Sequence, residues 1–411
     1  VKKKAGLVIL GVSILFLLIT IMQKDDEKNT DFINVKEYGA AGDGIKDDTK
    51  AIQKALKAGP HKKVFFPKGK YKVSDDLTVK GYTEVYGDHA GIFADSGLAS
   101  VIRIKGDHVH IHDLTVDGKA KALRGITVEA GSSYAHISKS VLQNFNQPEE
   151  PKKLSRQTVS AVRIEGGTNH TTVDKSRIFN VMARNPIEGW NHQVSRGILI
   201  SPSSKEQTAA KNVTISNSSF SSIGPKDDGD GIVVQGFKEK VNVNILANTF
   251  TNIHKRAIKI QSPGAIIKKN IIYNSFRKNN YYTTYYDPKK YDMWAAISIY
   301  ADHTVIQQNS ISGAGDYGRI IDVANASHVK IDSNYIQNGS RANYSDSSVV
   351  SITSEKKRDA AYITVSNNTL ANGRYGIFAG KNIKGIKVLN NRPINVADYQ
   401  NKALKETLKE S

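Results

Sequence analysis

The chain has 411 residues, 39% of them hydrophobic and 24% charged, so it can bury a sizeable core and is not a disordered polymer. It has no cysteine, which excludes a disulfide framework, a thiolate zinc site, a cysteine nucleophile and a lipidated cysteine. Lys plus Arg number 58 against 39 Asp plus Glu, a net charge of +19 that favours a polyanion: nucleic acid, anionic lipid, teichoic acid or an acidic polysaccharide.

The first element is an apolar run from Ala5 to Met22, preceded by Lys2, Lys3 and Lys4. As a helix it spans roughly 27 Å, close to the hydrocarbon thickness of a bilayer. The lysines stay on the cytoplasmic side, which places the rest of the chain outside. No small residues follow the run, so the pattern is that of an uncleaved signal anchor and not of a cleaved leader. Residues 1–4 are then a cytoplasmic tail, 5–22 a single transmembrane helix and 23–31 a polar tether. The expected location is a bacterial cell membrane with the body of the protein extracellular, and export removes nucleic acid from the partners.

Next comes a short amphipathic helix. Asp47, Asp48 and Thr49 precede Ala51, Ile52, Ala55 and Leu56, and Gly59-Pro60 closes the segment. From there to residue 395 the chain is a repeat. The pattern apolar-x-apolar-x-x-Asn/Ser-x-apolar recurs at Ile137 to Leu142, Ile215 to Phe220, Ile245 to Phe250, Ile267 to Ile272, Ile306 to Ile311, Ile331 to Ile336 and Val365 to Leu370. Weaker copies centre on Ile111, Val173 and Val388. A second short strand accompanies the copies, as in Gly197 to Ile200, Gly231 to Val234, Ala257 to Ile260 and Ala296 to Ile299. Period-2 alternation of β-branched residues indicates half-buried strands, and two or three such strands per repeat indicate a parallel β-solenoid of about ten coils. The recurrent Asn or Ser is expected to stack inward at one corner, each amide satisfying backbone of its neighbour. The helix at 49–56 would plug the first coil, and residues 396–411, with helical spacing, would cap the last.

The run Phe32 to Leu56 (FINVKEYGAAGDGIKDDTKAIQKAL), followed by Val64 to Tyr71 (VFFPKGKY), resembles the entry segment of the pectate lyase superfamily, which includes polygalacturonase- and rhamnogalacturonase-like hydrolases, alginate epimerases and phage tailspikes. The resemblance implies an all-β, right-handed parallel β-helix over residues 32–395. It leaves the chemistry open, because lyases, hydrolases, epimerases and non-catalytic spikes share this cap.

In such a solenoid, equivalent residues of successive coils lie roughly 4.8 Å apart, so outward rows can be read directly. One corner row carries Arg196, Asp230 and Arg256 on three successive coils, where alternating charge should form an ion ladder. Asp227 and Asp228 crowd the same turn as Asp230; His254, Lys255, Arg256 and Lys259 crowd the next; Trp294 and Tyr300 follow. Gln235 and Gln261 stand in the outward row that leads to Tyr300. A tyrosine-rich insertion from Tyr281 to Tyr291, with Tyr285 and Tyr286 inside it, offers rings to sugar faces. Glu188, Trp190 and His192 precede Arg196. His108, His110 and His112 alternate, and a strand would spread them about 7 Å apart, which suits a solvated face better than a metal site.

Two reactions compete. In β-elimination on a uronic acid, a cation neutralises the carboxylate and a Lys or Arg removes the C5 proton; Lys259 beside Lys255 and Arg256 meets that need. The resemblance implies calcium-binding acids one coil away, for which Asp227, Asp228 and Asp230 are the candidates. In hydrolysis, Asp228 and Asp230 would flank the bond. Asp230-Gly231-Ile232 is similar to the first acidic coil of polygalacturonases, but Lys255-Arg256 stands where their next acids would be, which favours elimination. The expected catalytic group is Lys259, Arg256, Asp230 and Asp228. Arg196, Lys255, His254, Gln235, Gln261, Trp294, Tyr300, Tyr285 and Tyr286 are expected to bind an acidic polysaccharide. The alternatives are a polygalacturonase-like hydrolase and a non-catalytic wall- or exopolysaccharide-binding protein. The anchor generates its own test: the full-length chain should sediment with membranes, and recovery of a soluble form starting near Gln23 would overturn it.

Overall fold

The computed structural model describes residues 32–184, 193–224, 229–274, 281–282, 290–291, 295–313, 319–337, 347–354, 358–381 and 383–410. The Ala5 to Met22 segment lies outside them, and among the described residues no helix is long and apolar enough to cross a membrane.

The chain winds into a parallel β-helix in which, among the described residues, 34 strands form one hydrogen-bonded system. Each coil contributes to three sheets. The first runs from Phe32–Asn34 and Lys63–Phe66, through Val213–Ser216, Val243–Leu246 and Ala265–Lys268, to Lys387–Leu389. The second includes Ser219–Gly224, Thr249–Ile253 and Ile271–Asn274. The third includes Arg124–Val128, Val159–Ile164, Ser195–Ile200, Gly229–Val234, Arg256–Ile260, Ile297–Ile299 and Arg319–Ala324. The coils exceed the expected ten or so. The entry segment supplies coils of its own, and Ser348–Thr353, which is not among the strands read from sequence, adds a third-sheet strand between Arg319–Ala324 and Thr369–Ala379.

Register explains the repeat. Ile137, Val173, Ile215, Ile245, Ile267, Ile306, Ile331 and Val365 are successive partners in the first sheet, so like side chains stack on like along the core. Phe220 lies 4.8 Å from Phe250, ring on ring. The core is one continuous apolar column, and its stabilisation grows with every coil that removes its inward row from water.

From Lys139 onward the corner between the first and second sheets is constant; the entry coils differ, with three residues between Tyr86 and Ala90 where one lies between their partners His112 and Leu114. The constant corner has two residues, the first with positive φ (46–57° at Lys139, Lys175, Asn217, Ala247, Lys269, Gln308, Ser333, Asn367 and Asn390). The second is the recurrent Ser or Asn. Asn309 shows what it does: its Oδ1 accepts from the Asn270 backbone N–H at 2.9 Å, and its Nδ2 donates to Ile267 O and to Asn334 Oδ1, each at 2.9 Å. The same exchange links Asn248, Asn270, Asn309, Asn334, Asn368 and Asn391, as the sequence pattern suggests.

The ends are closed. Helix α1 (Thr49–Lys57) buries Ile52, Ala55 and Leu56 over the first coils. The Asp48 side chain does not cap it; its carboxylate instead accepts from the backbone of Ala41 and Gly42, fixing the turn that precedes the helix. At the other end, helix α2 covers Lys402–Glu410 and begins later than residue 396. Residues up to Gln400 continue as a strand paired with Thr369–Ala379, because the last coil still offers a ladder to extend. Asn401 ends that ladder by accepting from the Ala379 N–H and donating to its carbonyl, and Leu404 is buried beneath the helix.

Replacing Asn309 by Ala removes the acceptor for one buried N–H and the donor to one buried carbonyl. The expected cost is about 2–4 kcal/mol in urea unfolding, with Asn309→Ser losing less because a hydroxyl can meet part of the need. An Asn309→Ala chain within about 0.5 kcal/mol of wild type would show that the ladder does not hold the coils.

Candidate functional site

The third sheet differs from the others in that every residue of Val159–Ile164, Ser195–Ile200, Gly229–Val234 and Arg256–Ile260 is buried, on both faces. The residue after each corner is small. A Cβ on Gly231 would lie 2.5 Å from Ala257 O and 3.0 Å from the Phe250 ring, and one on Gly197 would meet Gly231 O at 2.5 Å. These close approaches pull the strand onto the core, and the residue just before stands on the outer side.

That outer corner row carries the ion ladder. Asp230, fully buried, lies 3.2 Å from Arg196 Nη1 and 3.4 Å from Arg256 Nη1, one guanidinium on each carboxylate oxygen. Arg196 also donates to the Ser195 carbonyl, and Arg256 Nε donates to Ser298 Oγ at 3.1 Å. Lys259 occupies the middle row, between Val233 and Ser298. It is only 9% exposed, and its row neighbours Val233 and Ser298 are buried as well.

A second acid, Asp322, extends the cluster. It is 1% exposed, accepts from Tyr300 Oη at 2.9 Å and from Arg319 Nη1 at 3.1 Å. Burial first, and then the Asp322 charge, push the Tyr300 hydroxyl above its ordinary pKa. Ser298 and Asp322 are not among the residues singled out from sequence; the signal that finds them is their register beside Lys259, one and two coils on. His254 packs against Gly224, where an added Cβ would come within 2.4 Å of the imidazole, and burial lowers its pKa to about 4. Lys255 donates its backbone N–H to the Gly229 carbonyl and is half-buried. Gln235 is half-buried and Gln261 exposed, at the far edge of the same sheet.

The structure thus brings Arg196, Asp230, Arg256, Lys259 and Tyr300 onto one face. Asp227, Asp228, Tyr285, Tyr286, Trp294, Glu188, Trp190 and His192 lie outside the described residues. As a calcium ligand or a hydrolytic acid Asp230 does not fit, because both of its oxygens face guanidiniums. Among the described residues no three His, Asp or Glu side chains gather closely enough to hold a metal ion.

The histidines of the early coils are also arranged differently from an extended strand. His108 sits at a corner with φ of 54° and stacks between Tyr82 and Tyr134, at 5.2 and 4.7 Å. The His110 and His112 rings come within 4.3 Å, and His110 stacks on His136 at 4.4 Å. Coil stacking sets the His108 separations and that of His110 from His136, whereas His110 and His112 are neighbours two apart on one strand whose rings lean together.

His254 gives the site a pH signature. Its pKa is about 4 when folded and the ordinary 6.5 when unfolded, so unfolding takes up a proton between those values. Its contribution to stability is therefore full above about pH 6.5 and is lost as pH falls towards 4, by about 3 kcal/mol. Chemical unfolding of His254→Gln across that range should show a shallower acid loss than wild type. Identical slopes would mean that His254 is not held neutral.

The family model described as rhamnogalacturonase A/epimerase, pectate lyase-like, matches residues 32–284, and that for the right-handed beta helix region matches residues 196–393. The chain is 27% identical over 233 residues to plasmin and fibronectin-binding protein A of Streptococcus pneumoniae, covering 55% of this chain and 28% of that protein. It is 36% identical over 114 residues to alginate lyase 7 of Azotobacter vinelandii, covering 22% of this chain and 13% of that one. The chain spans less than a third of the length of these curated relatives. In structure it is similar to PfbA, a surface adhesin of Streptococcus pneumoniae (TM-score 0.62, 19% identity, 90% of this chain and 91% of the other). It is also similar to the A-module of the Azotobacter vinelandii mannuronan C-5 epimerase AlgE6 (TM-score 0.59, 14% identity, 90% and 99%). At these identities the structural likeness speaks for the fold. The sequence match over more than half of the chain goes further: the chain belongs to the rhamnogalacturonase A/epimerase, pectate lyase-like family.

Proposed function

We propose that this chain acts on an anionic, uronate-type polysaccharide along the outer face of the third sheet, by β-elimination. The observation that carries this reading is the pairing of Lys259 with Arg256 on one strand, with the guanidinium of Arg256 pinned between Asp230 and Ser298. A pinned guanidinium is a preorganised partner for a sugar carboxylate, and its charge stabilises the carbanion that develops at C5. Lys259 takes the C5 proton. The electron pair left behind forms the C4–C5 double bond, the C4–O4 bond breaks, and the departing oxygen takes up a proton. No step runs through calcium. The same proposal puts the solenoid outside the cell, on the basis of Lys2 to Lys4 and the apolar run that follows.

A second reading is binding without turnover. It is favoured by the 9% exposure of Lys259 and by the length of the match to plasmin and fibronectin-binding protein A. The two separate in one experiment. Purified residues 23–411 are incubated with a panel of uronate polymers while the ultraviolet absorbance of unsaturated product ends is followed. Elimination predicts a rise that Lys259→Ala abolishes, by about a hundredfold or more, with unchanged circular dichroism. Lys259→Arg should not restore the rate, because a guanidinium stays protonated. Polymer binding with no rise in absorbance would move the chain to the binding class, and full activity in Lys259→Ala would remove Lys259 from the mechanism.

A further inference from the structure

Towards the N-terminus of the same face lies a second cationic feature that the proposed chemistry does not use. An open pocket of about 470 Å³ is lined by Arg124, Arg156 and Arg163, with Gln157 and Glu165. Arg124 and Arg163 stand on adjacent strands of the third sheet, in the corner row and the middle row. Arg163 is 8% exposed, and Arg156 is exposed.

The hydrogen bonding of these arginines is incomplete. Arg124 donates from Nη2 to Gln157 Oε1 at 3.3 Å, and Arg163 donates from Nη2 to Pro202 O at 2.9 Å. The Nε atoms of both are buried without a hydrogen-bond partner, as is Ser160 Oγ between Arg124 and Arg196 in the corner row. Glu165 approaches Arg163 Nε only to 3.8 Å. One carboxylate therefore serves three guanidiniums. Arg103 shows the contrast: in the middle row two coils before Arg163, it is neutralised by Asp76 at 2.7 Å and Glu129 at 2.8 Å. Burial, and then the charge of Arg163, lower the pKa of Arg124 to about 10, a sign that cations are held together here without enough counter-charge. Cations held together with so little counter-charge are costly, and an oxyanion in the pocket would supply the charge these guanidiniums lack.

Leu199 and Val233 separate Arg163 from Lys259, so the two lie three coils apart, about 14 Å along the axis. That is the reach of a few sugar residues. We propose that Arg124, Arg156 and Arg163 form a remote subsite that holds a carboxylate of the same polysaccharide chain whose reacting sugar lies at Lys259. This rests on the polysaccharide reading above, but not on elimination.

The test combines an anion probe with chain length. Crystals of residues 23–411 are soaked in sodium selenate, and the anomalous signal is mapped. Binding of galacturonate and mannuronate oligomers, two and six residues long, is measured by calorimetry for wild type, Arg124→Gln, Arg163→Gln and Lys259→Ala. The exposed Arg156→Gln is included as the variant least able to disturb the fold. The subsite predicts selenate between Arg124 and Arg163 in wild type and in Lys259→Ala, and its loss in the Arg124 and Arg163 variants. It also predicts that the three pocket variants lose about tenfold in affinity for a six-residue oligomer, with no change for a two-residue one. An empty pocket, equal loss for both lengths, or selenate without any length-dependent binding would each overturn it. Length-dependent binding that survives while wild type releases no unsaturated product leaves the subsite standing and removes elimination instead.

Discussion

Equivalent positions of neighbouring coils are held one strand spacing apart, and nearly everything else follows from that constraint. The asparagine ladder enforces it at one corner, where each amide accepts from a backbone N–H of the preceding coil and donates to a backbone carbonyl of that same coil. A slip of one residue would turn the isoleucine columns outward and leave the amides without partners. The core and the corner therefore agree on a single register, and any side chain placed on an outer face meets the same-numbered position of the coils above and below.

Stacking makes electrostatics a matter of succession. Like charges repeated at this spacing repel, so a charged row has to alternate or be neutralised from the side. Arg196, Asp230 and Arg256 alternate; Arg103 is neutralised by Asp76 and Glu129; Asp322 takes Arg319 and Tyr300. The pocket at Arg124 and Arg163 departs from this rule, and a departure from a rule kept elsewhere on the same sheet is what marks it. Burying Asp230 costs desolvation that two guanidiniums offset, and the result is a pair of arginines with fixed orientation.

Much of this was legible in the sequence because the repeat makes it so. Once the Asn or Ser corner is recognised, Arg196, Asp230 and Arg256 fall on one row by counting, and the structure pairs them. The entry segment identified the fold family through a cap, α1, that any such solenoid needs. What the repeat does not encode was harder to see. The low exposure of Lys259 depends on what surrounds an outer position, which strand alternation does not report. The position of His108 depends on a positive φ that takes it out of the strand and into a corner, so counting along a strand misplaced it. The strand at Ser348–Thr353 escaped because its neighbours are serines and valines without the charged corner that marks the others. The start of α2 was misjudged because the amphipathic spacing from Val396 also satisfies an edge strand, and an available ladder decides between them.

The two-residue corner between the first and second sheets has a consequence for how such a protein diversifies. A corner whose first residue is left-handed and whose second residue is a link in a continuous chain of amides tolerates no added length; one extra residue would break the chain for every coil beyond it. The connections into the third sheet carry no such link, and their lengths range from Ile253 to Arg256 up to Asn274 to Ile297. The connections out of the third sheet vary too, from Ile260 to Ala265 up to Ile200 to Val213, so new segments are acquired at either edge of that sheet and natural variation is funnelled to the borders of the face that carries Arg196, Asp230 and Arg256. A lineage can then exchange one ligand for another by rewriting those borders alone, while the opposite corner keeps the scaffold in register.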